Sequence, residues 1–162
     1  DGVIGVYLQD LQTGQEIHFA MDQGELISVN PDIAFTASST IKIPILISYY
    51  IKNGSALVDE QTQAMIVEMI RKSDNNASDA MLNRIDINTG PLIVTQNMKT
   101  IGLQDTFLAG FFAPGSPLLQ RFITPANTRT DVFTDPDLYN QTTPLDMGML
   151  HLRSIGDVAD DQ

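Results

Sequence analysis

Ser39 and Lys42 stand three residues apart in the stretch SSTIKIPIL, at the start of an apolar run. On a helix that begins at Ser39, this spacing places both side chains on one face. A serine hydroxyl becomes a good nucleophile when a base takes its proton, and a lysine amine can do so when burial lowers its pKa. The apolar run supplies that burial. The stretch therefore predicts a serine nucleophile, Ser39, with Lys42 as its proton acceptor.

A second polar group, Ser73-Asp74-Asn75, lies between two segments of helical character in RKSDNNASDAML. A short turn between helices presents a hydroxyl and an amide into a cleft. We predict that Ser73 relays a proton to a leaving group and that Asn75 binds a substrate amide and helps to fix Lys42. Asp74 is predicted to hold the turn by bonding backbone N–H groups. Each motif alone is more often an N-cap or a plain loop than a catalytic element, but the pair is more specific.

With both motifs in order, the chain resembles the penicillin-interactive serine enzymes, and specifically the class A β-lactamases and their relatives. The segments NTGPLIVTQNMKTIGLQDT and QTTPLDMGML also resemble parts of that family. The resemblance implies that Ser39 is acylated, that Lys42 is its proton partner, and that Ser73 and Asn75 line the cleft. It also implies that the backbone N–H of Ser39 forms half of an oxyanion hole.

The resemblance further implies an α/β (α+β) fold of the β-lactamase/transpeptidase-like kind, an antiparallel sheet flanked by helices. No metal ion and no organic cofactor is expected, and the location is expected to be extracytoplasmic (periplasmic, secreted or at the cell surface). The implied function is hydrolysis of a β-lactam or related amide through an acyl-enzyme at Ser39. The alternatives are a penicillin-binding D-Ala-D-Ala carboxypeptidase that acts on peptidoglycan peptides, and a non-catalytic binding module on the same fold.

Two features of the family are missing from the sequence. No lysine follows Lys99, so the family's Lys-Thr-Gly strand is absent, and no glutamate follows Glu68, so its Glu-x-x-Leu-Asn segment is absent too. That glutamate activates the water that clears the acyl-enzyme. Asp135 or Asp137, in the segment DPDLYN, is predicted to substitute for it or to be a turn residue.

The spacing of apolar residues and the turn residues between them predict the strands and helices that position the two motifs. Two β-rich runs flank the hairpin signal DLQTG, and helices are predicted over residues 39–53, from Asp59, over 77–85 and over 88–102. Either more strands lie within the irregular stretch 104–142, or residues from elsewhere complete the sheet, and we favour the second. Residues 1–162 are thus predicted to be the N-terminal portion of one domain, completed by another chain or nicked piece, by a swapped neighbour, or by residues outside the given sequence.

The amino-acid composition disfavours some classes of binding partner and excludes cysteine chemistry. The chain has 162 residues and a net charge of −11, which disfavours nucleic acid because phosphates require clustered Lys and Arg. It has no cysteine, which excludes disulfides and thiol nucleophiles. No apolar run reaches the roughly 18–20 residues of a membrane span. A small-molecule β-lactam or a peptidoglycan peptide is the expected partner.

Overall fold

A computed structural model describes residues 2–54 and 58–159, with side chains of the last helix as far as residue 152. The chain opens with a hairpin of two antiparallel strands, β1 (Val3–Gln9) and β2 (Glu16–Asp22). Gly14 has a φ of 71° in the connecting turn, a conformation that glycine adopts without steric cost. A short strand, β3 (Glu25–Leu26), extends this sheet beside β2. The predicted hairpin is confirmed.

Helices make up most of the remaining structure. A 3₁₀ turn over Ser38–Ile41 leads into α1 (Lys42–Asn53), so the predicted helix over 39–53 is confirmed with a tighter first turn. It is followed by α2, α3, α4 and α5, which span Glu60–Arg71, Asn75–Ile85, Gly90–Thr100 and Pro144–Ala159. No helix in the described ranges is long and apolar enough to span a bilayer.

Two further strands lie in the stretch that we predicted to be irregular. β5 (Phe107–Leu108) and β6 (Asn140–Thr142) form a second small sheet with β4 (Phe35–Thr36), and β6 is central. The alternative that we did not favour, strands within residues 104–142, is therefore confirmed, while completion of the sheet by residues from elsewhere stays a prediction. Strands of two or three residues are too short to show an alternating pattern, and β6 pairs with a strand about one hundred residues earlier.

The core forms around α1, which packs against the other helices of the first hundred residues. Its centre consists of fully buried apolar side chains: Ile41, Ile45, Met69, Met81, Leu82 and Val94. Burial of such side chains contributes roughly 1.5–3 kcal/mol each. Lys42 is next to Ile41 at the start of α1, so the core forms the wall against which this lysine is held.

The hairpin packs on α5 by one face only. Gly148 of α5 lies so close to the ring of Tyr7 that a Cβ atom there would be 2.1 Å from a ring carbon. On the other face, Ile4, Leu8 and Ile17 are each more than half exposed. Within the described residues β1 is also an edge strand. An edge and an apolar face of this kind are places where a further strand or layer can pack.

Buried carboxylates tie the long segment after α4 to α5. An Asp146 oxygen accepts from the backbone N–H of Asp105 at 2.9 Å and from the Thr106 hydroxyl at 2.8 Å, and Asp105 accepts from the N–H of Ala126. Burial raises the pKa of Asp146 to about 6, with smaller contributions from the charges of Asp105 and Asp32, while the two hydrogen bonds oppose the rise. Ionisation of Asp146 is therefore costly in the folded protein.

We predict that Asp146→Asn removes a pH dependence of stability. A carboxyl whose pKa is higher in the folded state binds extra protons on folding between about pH 4 and pH 6, so wild-type stability falls as the pH rises through this window. The effect of this one group is on the order of 3 kcal/mol. Urea unfolding at several pH values should show a flatter profile for the variant. If the difference in free energy of unfolding between wild type and variant were the same at every pH from 4 to 7, the prediction would be contradicted.

Candidate active site

Four side chains, each from a different element or turn, meet at the start of α1. Ser39 belongs to the 3₁₀ turn, Lys42 begins α1, Ser73 lies in the turn after α2, and Asn75 begins α3. Lys42 Nζ lies 2.9 Å from Ser73 Oγ, 2.9 Å from Asn75 Oδ1 and 2.5 Å from the Ser73 carbonyl oxygen. It lies 3.4 Å from Ser39 Oγ, and the two serine oxygens are 2.6 Å apart. The structure therefore brings together the four residues predicted from the motifs.

The turn that carries Ser73 is held in a demanding backbone conformation. Ser73 has a φ of 58°, in the left-handed region, which costs of the order of 1 kcal/mol for a residue other than glycine. Asp74 caps α3 by accepting from the backbone N–H of Ala77 at 2.6 Å. This confirms the prediction that Asp74 holds the turn. The left-handed residue directs both its hydroxyl and its carbonyl oxygen toward Lys42.

Lys42 is buried, although the three residues whose side chains surround its amine are exposed to solvent. Its exposed fraction is 2%, whereas Ser39, Ser73 and Asn75 are exposed. Burial lowers the pKa of Lys42, and the negative charge of Asp74 opposes this shift. The ring of Phe112 lies over the ammonium group, with its centroid 5.4 Å from Nζ.

The number of oxygens around Lys42 has a chemical consequence. Four oxygens lie within hydrogen-bond reach of Nζ, but an ammonium group carries three protons. A neutral amine in the same place also has three partners, two that accept its protons and a third that donates to its lone pair. The most distant oxygen, Ser39 Oγ, then becomes the donor. The arrangement therefore suits transfer of the Ser39 proton to Lys42.

The two aspartates predicted as alternative bases lie on the loop before β6. Asp135 has a φ of 49°, and Asp137 accepts from the N–H of Tyr139 at 2.6 Å while its own N–H donates to Thr36 Oγ1. In the described part of the chain, neither carboxylate is hydrogen-bonded to Ser39, Lys42, Ser73 or Asn75. The assignment of a deacylation base to Asp135 or Asp137 stays a prediction.

Two residues at the site were missed by sequence reasoning. The carboxylate of Asp79 accepts from the backbone N–H groups of Phe112 and Ala113, at 2.8 Å each, and thereby holds Phe112 next to Lys42. The one signal in the sequence is that Asp79 follows Asn75 by four residues, one turn of the same helix. No cluster of three or more His, Asp or Glu suited to a metal ion occurs among the described residues.

Comparisons with known proteins find similarity in the first part of the sequence and in the fold. A sequence model of the Beta-lactamase enzyme family matches residues 1–63, which include Ser39 and Lys42. Similar solved structures include a β-lactamase from Desulfarculus baarsii, with 18% identity and a TM-score of 0.58 over 91% of this chain and 54% of that one. No curated protein sequence matches the chain.

Two other solved β-lactamase structures are similar to this chain to about the same extent. A variant of the class A β-lactamase of the last common ancestor of Gram-negative bacteria has 19% identity and a TM-score of 0.59, over 94% of this chain and 56% of that one. A β-lactamase from Streptosporangium roseum has 20% identity and a TM-score of 0.56, over the same shares of the two chains. The chain spans about half the length of these structures. Its fold is β-lactamase-like, and the resemblance stated from the motifs is confirmed.

We predict that Asp74→Asn lowers the pKa of Lys42 further. Asparagine caps helices as well as aspartate does, so the turn should persist while the negative charge that favours protonated Lys42 is lost. An NMR titration of the labelled lysine side chains should detect the shift. Asp74→Ala is the control for the cap itself, and it should lower stability by about 1 kcal/mol. A Lys42 titration unchanged in Asp74→Asn would contradict this prediction.

Proposed function

We propose that the protein is a serine hydrolase of the β-lactamase type, acylated at Ser39 by a β-lactam or a related amide. The observation that carries this proposal is the position of Lys42 Nζ within hydrogen-bond reach of Ser39 Oγ and Ser73 Oγ, in a place where burial favours its neutral form. The β-lactamase-like fold and the family match over residues 1–63 support it.

The acylation step has a complete proton path. Neutral Lys42 takes the proton of Ser39, whose oxygen attacks the amide carbonyl carbon to form a tetrahedral intermediate. The carbon–nitrogen bond then breaks, Ser73 gives its hydroxyl proton to the leaving nitrogen, and the Lys42 ammonium returns a proton to Ser73. The product is an ester of Ser39 and a free amine, with Lys42 neutral again. In this proposal Asn75 binds a substrate amide, and its Oδ1 accepts from Lys42.

The second step, deacylation by water, distinguishes the leading proposal from its nearest alternative. Water must lose a proton to a base within hydrogen-bond reach as it adds to the ester carbonyl. In the described residues no carboxylate is hydrogen-bonded to the four-residue cluster. This observation favours the alternative of a penicillin-binding D-Ala-D-Ala carboxypeptidase-like enzyme with a long-lived β-lactam ester. The leading proposal requires Asp135 or Asp137 to reach the ester in the acylated protein.

We predict a mass increase on Ser39 after brief exposure to benzylpenicillin. Intact-mass spectrometry followed over time measures both formation and loss of the adduct, and peptide mapping locates it. Ser39→Ala should give no adduct. Lys42→Met, which keeps an unbranched side chain one atom shorter and without the amine, should slow acylation by about 10²- to 10⁴-fold.

The time course separates the candidate functions. An adduct that forms and clears, with clearance slowed in Asp135→Asn or Asp137→Asn, indicates a β-lactamase. A persistent adduct together with cleavage of D-Ala-D-Ala peptides indicates the carboxypeptidase-like alternative. Absence of any adduct in wild type, with Ser39→Ala identical in every respect, indicates the non-catalytic binding module.

We further propose that the free edge of β1 pairs with a strand that the given sequence does not supply, from another chain or from a swapped neighbour. The half-exposed Ile4, Leu8 and Ile17 beside that edge support this, as does the greater length of the matched structures. The proposed substrates lie outside the cytoplasmic membrane, so we propose an extracytoplasmic location as well.

We predict that light scattering after size-exclusion chromatography gives a mass larger than that of one chain, or that a co-purifying peptide is found. Leu8→Lys, placed on the exposed face of the edge strand, should weaken this association because a charged side chain is costly to bury there. Lys introduced at the exposed Val29, outside the strands, is the matched control. A stable folded monomer without any bound peptide would refute the prediction.

A further inference from the structure

The segment of residues 110–113 lies against Lys42 without belonging to the four-residue cluster. Phe112 is half-buried, and its ring covers the ammonium group at a centroid distance of 5.4 Å. The two carboxylate oxygens of Asp79 accept from the backbone N–H groups of Phe112 and Ala113. The acylation step derived above uses neither Asp79 nor Phe112, so their arrangement requires an explanation of its own.

One face of α3 connects the two parts of this arrangement. Asn75 and Asp79 are one helical turn apart, so their side chains leave the same face. Asn75 accepts from Lys42, and Asp79 fixes the backbone of the segment that covers Lys42. Hydrogen bonds to an ionised acceptor are about twice as strong as those between neutral groups. The carboxylate therefore restricts the 112–113 backbone more firmly than a neutral side chain would.

We propose that Asp79 and Phe112 form a shield over Lys42, in which Asp79 fixes the backbone of residues 112 and 113 and the Phe112 ring keeps water from the amine. Phe112 contacts Lys42 directly, whereas Asp79 is a positioning residue that acts through Phe112. The inference rests on the proposed function in one respect: shielding affects acylation only if Lys42 receives the proton of Ser39.

The ring has two opposite effects on the charge of Lys42. Its π face attracts a cation at distances up to about 6 Å, and its bulk removes water that would otherwise solvate the charge. The pKa of Lys42 is lowered, with burial as the main cause. We therefore expect the removal of water by the ring to outweigh its attraction for the charge. A shielded Lys42 is therefore neutral at lower pH than an open one, while its hydrogen bonds keep it beside Ser39.

The structure also leaves room for the shield to move. A cavity of about 320 Å³ lies beside the Phe112 ring and is lined by Leu108, Tyr139 and Asn140. If the bonds from Asp79 were lost, the ring would have space to turn away from Lys42. Loss of Asp79 should therefore have the same effect on Lys42 as loss of the ring itself.

The first test measures how readily Lys42 is acetylated by acetic anhydride, without any substrate. The chain has four lysines, and Lys72, whose side chain is 66% exposed, is an internal reference. We expect a several-fold higher rate at Lys42, relative to Lys72, in Phe112→Ala and in Asp79→Ala, once each rate is divided by the neutral fraction of that amine, which an NMR titration of the same variant measures. The double variant should match Phe112→Ala alone, because two residues that act through one contact are not additive.

Milder and matched variants keep this test decisive. Phe112→Leu retains apolar bulk and should stay near the wild-type rate, and Asp79→Asn, which keeps one acceptor oxygen, should fall between wild type and Asp79→Ala. Asp86→Ala is the control, because Asp86 also accepts from two backbone N–H groups, those of Asn88 and Thr89, in another part of the fold. An equal increase in Asp86→Ala, or no increase in Phe112→Ala, would overturn the proposal.

The second test follows the pH profile of benzylpenicillin acylation. The acid limb of the profile should move to higher pH in Phe112→Ala and Asp79→Ala, and by the same extent in both. If no protein is acylated, the proposed function fails while the acetylation rates still decide whether the shield exists. If all are acylated with one common profile, the proposed function stands and the shield is refuted.

Discussion

The burial of one positive charge governs the architecture around the site. A cation removed from water must be surrounded by oxygens, because an unpaired buried charge costs several kcal/mol or shifts to its neutral form. Lys42 is 2% exposed, and its oxygens come from the turn between α2 and α3. That turn must therefore take a conformation that directs Ser73 inward, which accounts for the left-handed backbone at Ser73 and the cap at Asp74.

The same requirement for partners organises the irregular segments. Backbone N–H groups outside helices and sheets need acceptors, and in this chain carboxylates supply many of them. Asp79 holds the segment at Phe112, Asp105 holds Ala126, and Asp146 holds the N–H of Asp105. The acidic composition thus has a structural component. Carboxylates fix the long segment between α4 and α5 where regular pairing covers only a few residues.

The elements that sequence reasoning predicted are those with local signals. A cap such as Asp59, a turn glycine such as Gly14 and the apolar spacing of the helices lie within a few residues of the structure that they specify. The second sheet and the contacts of Asp79 had no such signal. β6 pairs with residues about one hundred positions earlier, and Asp79 binds backbone atoms 33 residues later. Backbone N–H groups are the same in every residue, so nothing in the sequence marks which of them a carboxylate binds.

The sequence by itself determined the chemical groups of the site: a serine three residues before a lysine at the start of an apolar helix, and a Ser-Asp-Asn turn between two helices. Helical spacing is a local property, so the relation of Ser39 to Lys42 follows from it. Only the tertiary structure decided that the two motifs meet, because the contact of Lys42 with Ser73 and Asn75 depends on how α1 packs against α3. Packing also placed an aromatic ring over the lysine and left Asp135 and Asp137 outside its hydrogen bonds.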